Sequence, residues 1–241
     1  MAFKEVADGI FLVGGSGYSG GGDCMVYAID CGRGALALVD CGVESGKAVL
    51  RNVEAAGLTP GKCDQFVVFL THCHVDHVGA AHQVKEAHPH AQFVAHDADK
   101  AAIEGEPGTT AVTAAAWYGI RYVPVRVDVV VKDPVEKLLV GDKEFVVVHC
   151  PGHTPGSLAV YVDLPAEGAP RGFLRVLFGQ DVHGPFMREF GSDLSAYAKS
   201  MERLLELEAD VLCEGHYGVY EGADQVRSFI TRHLESNRRR A

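Results

Sequence analysis

Apolar positions fall into short runs separated by glycine-rich turns and amphipathic stretches, and their order predicts the architecture. Strands are expected at 5–13 (with a turn at Asp8-Gly9), 24–30, 35–40, 65–70 and 91–95. The second half adds strands at 137–140, 144–149, 158–162, 175–178 and 210–213. Helical spacing appears at 44–56, closed by Gly57 with Pro60 beyond, and at 79–87, ending at His88-Pro89. It returns at 194–207 and 223–235. The first of these carries the stripe Leu194, Tyr197, Ala198, Met201, Leu204 and Leu205, with Ser192 or Asp193 as cap. Between 97 and 133 the pattern weakens into Ala- and Gly-rich chain around Trp117-Tyr118, which reads as a lid or substrate wall, with Trp117 as packing. Two halves, each of strands then helix, predict two sheets face to face with helices outside.

Composition narrows the class. The 241 residues are 47% hydrophobic and 22% charged, an ordinary globular balance. No apolar run approaches the roughly 20 residues of a membrane span, and the first residues lack a signal-peptide core. A formal net charge of -10 opposes binding to nucleic acid. The basic run Arg238-Arg239-Arg240 reads as a solvated end. Seven Cys with no paired short spacing argue against a disulfide scaffold and for a reducing cytoplasm.

The chemistry concentrates in one stretch, Thr71-His72-Cys73-His74-Val75-Asp76-His77, leaving the strand at 65–70. Imidazoles and carboxylates are the usual ligands of catalytic zinc, and α/β folds place their chemistry at carboxyl ends of strands. His72 and His74, two apart in extended chain, point the same way and can grip one ion; Asp76 and His77 turn elsewhere and can serve a second. Cys73 should point away from both histidines. Three further strand-end loops carry His153, Asp181 and His216 beside glycine. His183, two residues past Asp181, and Tyr217, beside His216, are expected at the mouth of the site as substrate contacts or proton donors. Asp40, before Cys41-Gly42, is either a helix cap or a partner that orients a histidine. The Gly-rich loop at 14–23 lacks Gly-Lys-Ser/Thr and precedes a strand, so it reads as a hairpin loop rather than a phosphate cradle. Histidines 82, 88, 90, 96, 149 and 233 read as surface or ordinary packing.

On His72-x-His74-x-Asp76-His77, Pro-Gly-His153-Thr-Pro-Gly-Ser, Asp181, Gly-His216 and Leu38-Val39-Asp40-Cys41-Gly42, the sequence resembles the metallo-beta-lactamase-fold superfamily of metal-dependent hydrolases. The resemblance implies an α+β fold: a four-layer αβ/βα sandwich of two mixed β-sheets, one such domain over 1–241. It implies two divalent metal ions, zinc expected, with iron or manganese as alternatives. His72, His74 and His153 would hold the first ion, Asp76, His77 and His216 the second, and Asp181 both. Asp76 would also orient a bridging hydroxide and relay its proton. The implied activity is hydrolysis of a small thioester, ester or lactone, as in glyoxalase II-like and lactonase-like relatives. The alternative is a persulfide-dioxygenase-like enzyme with one iron on His72, His153 and Asp181; a third reading keeps metal for structure only. A beta-lactamase proper is disfavoured by the cytoplasmic reading. The partner expected is a small-molecule substrate, with no nucleic acid and no membrane; the oligomeric state, a homodimer included, stays open.

Overall fold

The structure, a computed structural model, describes residues 1–239. The first half gives β1 (Lys4–Ala7), β2 (Ile10–Leu12), β3 (Tyr27–Asp30), β4 (Ala35–Val39), α1 (Gly46–Ala55), β5 (Gln65–Phe69), α2 (Val75–Val78) and α3 (Ala81–Ala87). It continues with β6 (Gln92–His96), α4 (Asp97–Ile103), α5 (Ala115–Tyr118) and β7 (Val129–Val131). The second half gives β8 (Val135–Val140), β9 (Lys143–His149), β10 (Leu158–Pro165), β11 (Phe173–Gln180), α6 (Leu194–Glu206), β12 (Val211–Glu214), β13 (Val219–Glu221) and α7 (Ala223–Arg238). Strands β1 to β7 form one sheet in sequence order, and the other runs β13-β12-β11-β10-β9-β8. Both are mixed: β4 to β7 are parallel, and β11 pairs parallel to β12 within an otherwise antiparallel sheet.

Side-chain alternation builds the layers. In β5, Phe66 and Val68 join α1 and α3 in an outer core, while Val67 and Phe69 face the other sheet. In β9, Phe145 and Val147 meet them from that sheet, and Val146 and Val148 pack under α6 and α7 with Tyr197, Met201 and Phe229. Three apolar cores between four layers are the expected sandwich. With both faces covered, these strands need no polar alternation, which is why they read as continuous apolar runs. Strands β4, β5 and β6 run one way in their sheet, and β9, β11 and β12 share a direction in theirs. The loops at 40–42, 71–77, 150–157, 181–185 and 214–217 therefore follow carboxyl ends of these strands.

The differences from the sequence reading are local. The helix expected at 79–87 begins earlier, at Val75, and breaks between Val78 and Ala81. The 97–133 segment is not patternless: α4 follows β6 directly, and β7 completes the first sheet. Asp193, not Ser192, caps α6, its Oδ1 accepting from the amides of Ser195 and Ala196; Ser192 Oγ donates to the His153 carbonyl. Arg238 pairs with Glu202, tying α7 to α6 rather than dangling; Arg240 lies outside the described residues. All seven Cys are free thiols. No helix among the described residues is long and apolar enough to cross a membrane.

Candidate metal centre

The four loops expected to carry the chemistry meet at one edge of the two sheets. Two groups of donors form there: His72, His74, His153 and Asp181 within 4.8 Å of one another, and Asp76, His77 and His216 likewise. Asp181 joins them, its Oδ2 lying 3.5 Å from both His153 Nε2 and His216 Nε2, and its Oδ1 3.2 Å from His77 Nε2. All of these are buried except His216, which is half-buried. Cys73 turns its Sγ toward the Val112 carbonyl, away from the histidines.

Each donor is held from behind. His153 Nδ1 donates to the Pro185 carbonyl at 2.8 Å, so its Nε2 presents a lone pair to the centre. His72 Nδ1 faces Thr71 Oγ1 at 3.1 Å. Asp40 resolves as the orienting partner: its Oδ2 is 2.7 Å from His77 Nδ1, and its two oxygens also accept from the Thr71 amide and hydroxyl at 2.8 Å each. It does this from a left-handed backbone, φ 63, the kind of strained position that collects at functional sites. Gly215 is required for a different reason. A Cβ there would sit 2.3 Å from Asp181 Oδ1, so only glycine lets the His216 loop approach the shared carboxylate.

Two positioning residues had no sequence assignment. Asp99, buried on α4, accepts from the Cys73 amide (3.0 Å), the Thr154 hydroxyl (2.7 Å) and the Gly156 amide (2.7 Å), and so clamps the His72–His74 loop to the His153 loop. Glu214, also buried, takes the His183 Nδ1 at 2.7 Å on one oxygen and the amides of His216 and Tyr217 at 2.8 Å on the other. An acid at a strand end beside Gly-His216 is a signal that could have found Glu214; Asp99, inside an unremarkable stretch, offers none.

The donor chemistry fits cations. His74 Nδ1 lies 3.1 Å from His72 Nε2 and 2.9 Å from His153 Nε2. Two nitrogens each about 2.0–2.1 Å from a tetrahedral zinc lie about 3.3 Å apart, close to these spacings. Buried lone pairs so near repel unless positive charge lies among them. His77 Nε2 and Asp181 Oδ1, buried and 3.2 Å apart, are not aligned for a hydrogen bond with each other or with any other group. Burial, then neighbouring imidazoles, holds His72 well below the ordinary histidine value, and burial, then His153, takes His74 down to about 3. His153 is lowered by burial too. In the second group burial opposes ionisation, but it is outweighed. Cys24, then Asp181, Asp40 and Asp76, raise His77 well above its usual range, and hydrogen bonds to Asp181 and Asp76 raise His216 to about 10. Asp76 and Asp181 are correspondingly lowered against the effect of burial, first by His77. The first group is thus a set of neutral imidazoles. The second holds protons that a metal ion would displace.

Beside the donors opens a cleft of about 210 Å³, reached by His74, Asp76, Asp181 and His216 from below. His183 lines it. Tyr217, 61% exposed, stands at the rim with its ring 4.6 Å from that of His183. The opposite wall comes from 97–133 in the form of Ala114, Trp117 and Tyr118, together with Phe190. Trp117 packs against Phe190 but is not plain packing, since it is 56% exposed. The Gly-rich loop also reaches the site, since Gly22 lies against the Tyr118 ring and the Cys24 amide donates to the Asp76 carbonyl.

A profile of the metallo-beta-lactamase superfamily matches residues 19–165, and the chain belongs to that superfamily. It is a metallo-hydrolase with a His/Asp metal-binding cluster. It is 31% identical over 208 residues to an uncharacterized protein of Aquifex aeolicus (strain VF5), covering 81% of this chain and 84% of that one. It is 27% identical over 248 residues to the acyl-coenzyme A thioesterase MBLAC2 of Bos taurus, covering 93% and 84%. Among solved structures, the metallo-beta-lactamase GOB-18 from Elizabethkingia meningoseptica has a TM-score of 0.78 at 20% identity, covering 99% of this chain and 90% of that one. The class B3 di-zinc metallo-beta-lactamase LRA-12 from an Alaskan soil metagenome has the same TM-score and identity, covering 99% and 92%. At such identity the structural likeness carries the fold alone.

Proposed function

We propose that the chain hydrolyses a small thioester, ester or lactone with two divalent ions, zinc by preference, held on the seven converging donors. The observation that carries this reading is the pair of donor groups sharing Asp181 beside a cleft. His72, His74 and His153 would hold one ion, Asp76, His77 and His216 the other, with Asp181 between them. Ions held on these residues would supply Lewis acidity and a water that ionises near neutral pH. Asp76 Oδ2 lies 3.1 Å from His216 Nε2 and 3.9 Å from His77 Nε2, and the carboxylate borders the cleft, where it can orient the attacking water and accept its proton. His183, fixed through Nδ1 by Glu214, presents its ring to the leaving-group side. Tyr217 contacts what projects from the rim. The thioester option draws support from the MBLAC2 relatives, which carry that activity in their names.

Metal analysis with a substrate panel tests the reading. Two zinc per chain and turnover of a thioester, ester or lactone are expected. His74→Ala should lose bound metal and at least about 100-fold in rate together. Full metal content and turnover in that variant would refute the donor assignment. One iron per chain with oxygen uptake on a persulfide would favour the dioxygenase chemistry instead.

A further inference from the structure

The wall above the donors carries information about the substrate itself. Phe190, nearly fully buried, sits edge-on to the His74 imidazole at 4.5 Å. Trp117 leans on the far side of Phe190 at 4.9 Å, yet leaves 56% of its surface in water. An aromatic side chain left exposed forgoes the free energy of burying that apolar area, and here the chain holds it in place. Helix α5 is a single turn bounded by two left-handed residues, Ala114 at φ 58 and Gly119 at φ 67, and Tyr118 anchors it against Gly22. The exposed face of Trp117 is thus part of a fixed surface directed at the cleft.

Charge and size narrow what that surface accepts. Among the described residues no Lys or Arg lines the cleft, and the wall away from the donors, Ala114, Trp117, Tyr118, Pro185 and Phe190, carries no charge. A carboxylate or phosphate seated on that wall would lose water and find no charged partner among these five residues. At about 210 Å³ the space is smaller than the roughly 300–1,000 Å³ of pockets for drug-sized ligands. The other side, with His183, His216 and Tyr217, is polar and open at its rim.

We propose that the acyl half of the substrate is a compact, uncharged, apolar group, such as a phenylacetyl or hexanoyl chain, seated on Trp117 and Phe190, with the leaving group toward His183 and Tyr217. This rests on the hydrolase reading above, and it makes Trp117 and Phe190 specificity-determining residues.

The protein has a single Trp, so its fluorescence reports the wall directly. The zinc-loaded chain is titrated with phenylacetamide, a neutral carbonyl compound, and with succinamate, its charged counterpart. A saturable fluorescence change with phenylacetamide, and at least tenfold weaker binding of succinamate, is expected. In parallel, phenylacetyl, acetyl and succinyl thioesters of one thiol are assayed. The phenylacetyl thioester should exceed the succinyl one at least tenfold in kcat/KM. Trp117→Ala should raise KM for it about tenfold with zinc content unchanged, raise KM for the acetyl thioester less, and be partly rescued by Trp117→Leu. Turnover with equal preference for the succinyl thioester, or with no effect of Trp117→Ala, overturns the acyl assignment and leaves the hydrolase reading intact. A saturable fluorescence change without turnover of any thioester, ester or lactone overturns the hydrolase reading, and with it the acyl assignment, and leaves only an apolar binding wall. Neither binding nor turnover overturns both.

Discussion

Asp40 shows how much a single carboxylate can fix. Its two oxygens hold the Thr71 amide, the Thr71 hydroxyl and His77 Nδ1 at 2.7 to 2.8 Å, so one side chain sets the start of the His72–His77 loop and the ring at its end. Asp40→Asn keeps the shape but replaces one acceptor oxygen with a donor, so His77 loses its anionic partner. Zinc affinity should fall by about 10–100-fold, read by calorimetric titration of the metal-free protein, while unchanged affinity would remove Asp40 from the account of the site. Residues of this kind are half-legible in sequence. The seven donors could be read because each stands in a strand-end loop beside glycine or within one dense motif. Asp40 could be placed but its role stayed undecided, because an acid before a glycine turn serves caps equally well. The exposure of Trp117 was not readable at all, since it depends on which neighbours the insertion meets.

Between elements, two contacts tie the halves of the fold beneath the donors. The first is Asp99 on α4, whose three short hydrogen bonds join loops from different sheets. Removing a buried, hydrogen-bonded carboxylate leaves its donors unsatisfied, so Asp99→Ala should cost about 3 kcal/mol. For a chain of this size that is about 6–12 °C in the unfolding midpoint, measurable by calorimetry; a shift under about 2 °C would contradict it. The second is the stack of His96, at the end of β6, on His149, at the end of β9, with ring centroids 3.6 Å apart. Burial, then His149, lowers His96 to about 4. The folded protein therefore keeps this imidazole neutral where the unfolded chain, with a value of about 6.5, binds a proton. The unfolded state gains protons first, so the stability contribution is present above about pH 6.5 and is lost as pH falls toward 4. Midpoints measured over that window should drop more steeply in the native protein than in His96→Gln; parallel curves would refute the link. The sequence reading missed α4, β7 and β13 for physical reasons. Helix α4 is capped by His96 instead of a usual capping residue, and β7 and β13 are three residues each, too short to show a period.

Over the whole molecule, the donors divide between the sheets. His72, His74, Asp76 and His77 follow β5, while His153, Asp181 and His216 follow β9, β11 and β12. Ions at this centre would join the two sheets from the edge, beside the apolar core that joins them face to face. Chelation should then lower stability as well as activity. A site at a thousand times its dissociation constant contributes about 4 kcal/mol, or about 8–16 °C here, so a midpoint unmoved by chelator would argue against ions bridging the sheets. The four-layer arrangement was legible because strands covered on both faces read as unbroken apolar runs; the meeting of the two sheets at one edge came from the shared direction of the strands that feed it. That division has a consequence in time. A chain is synthesised from its amino end at about 5–20 residues per second, so His216 emerges on the order of ten seconds after His77. Before β8 is made the chain has one sheet, four of the seven donors and an inner face still waiting for its cover, and the donor set closes only when the His216 loop follows.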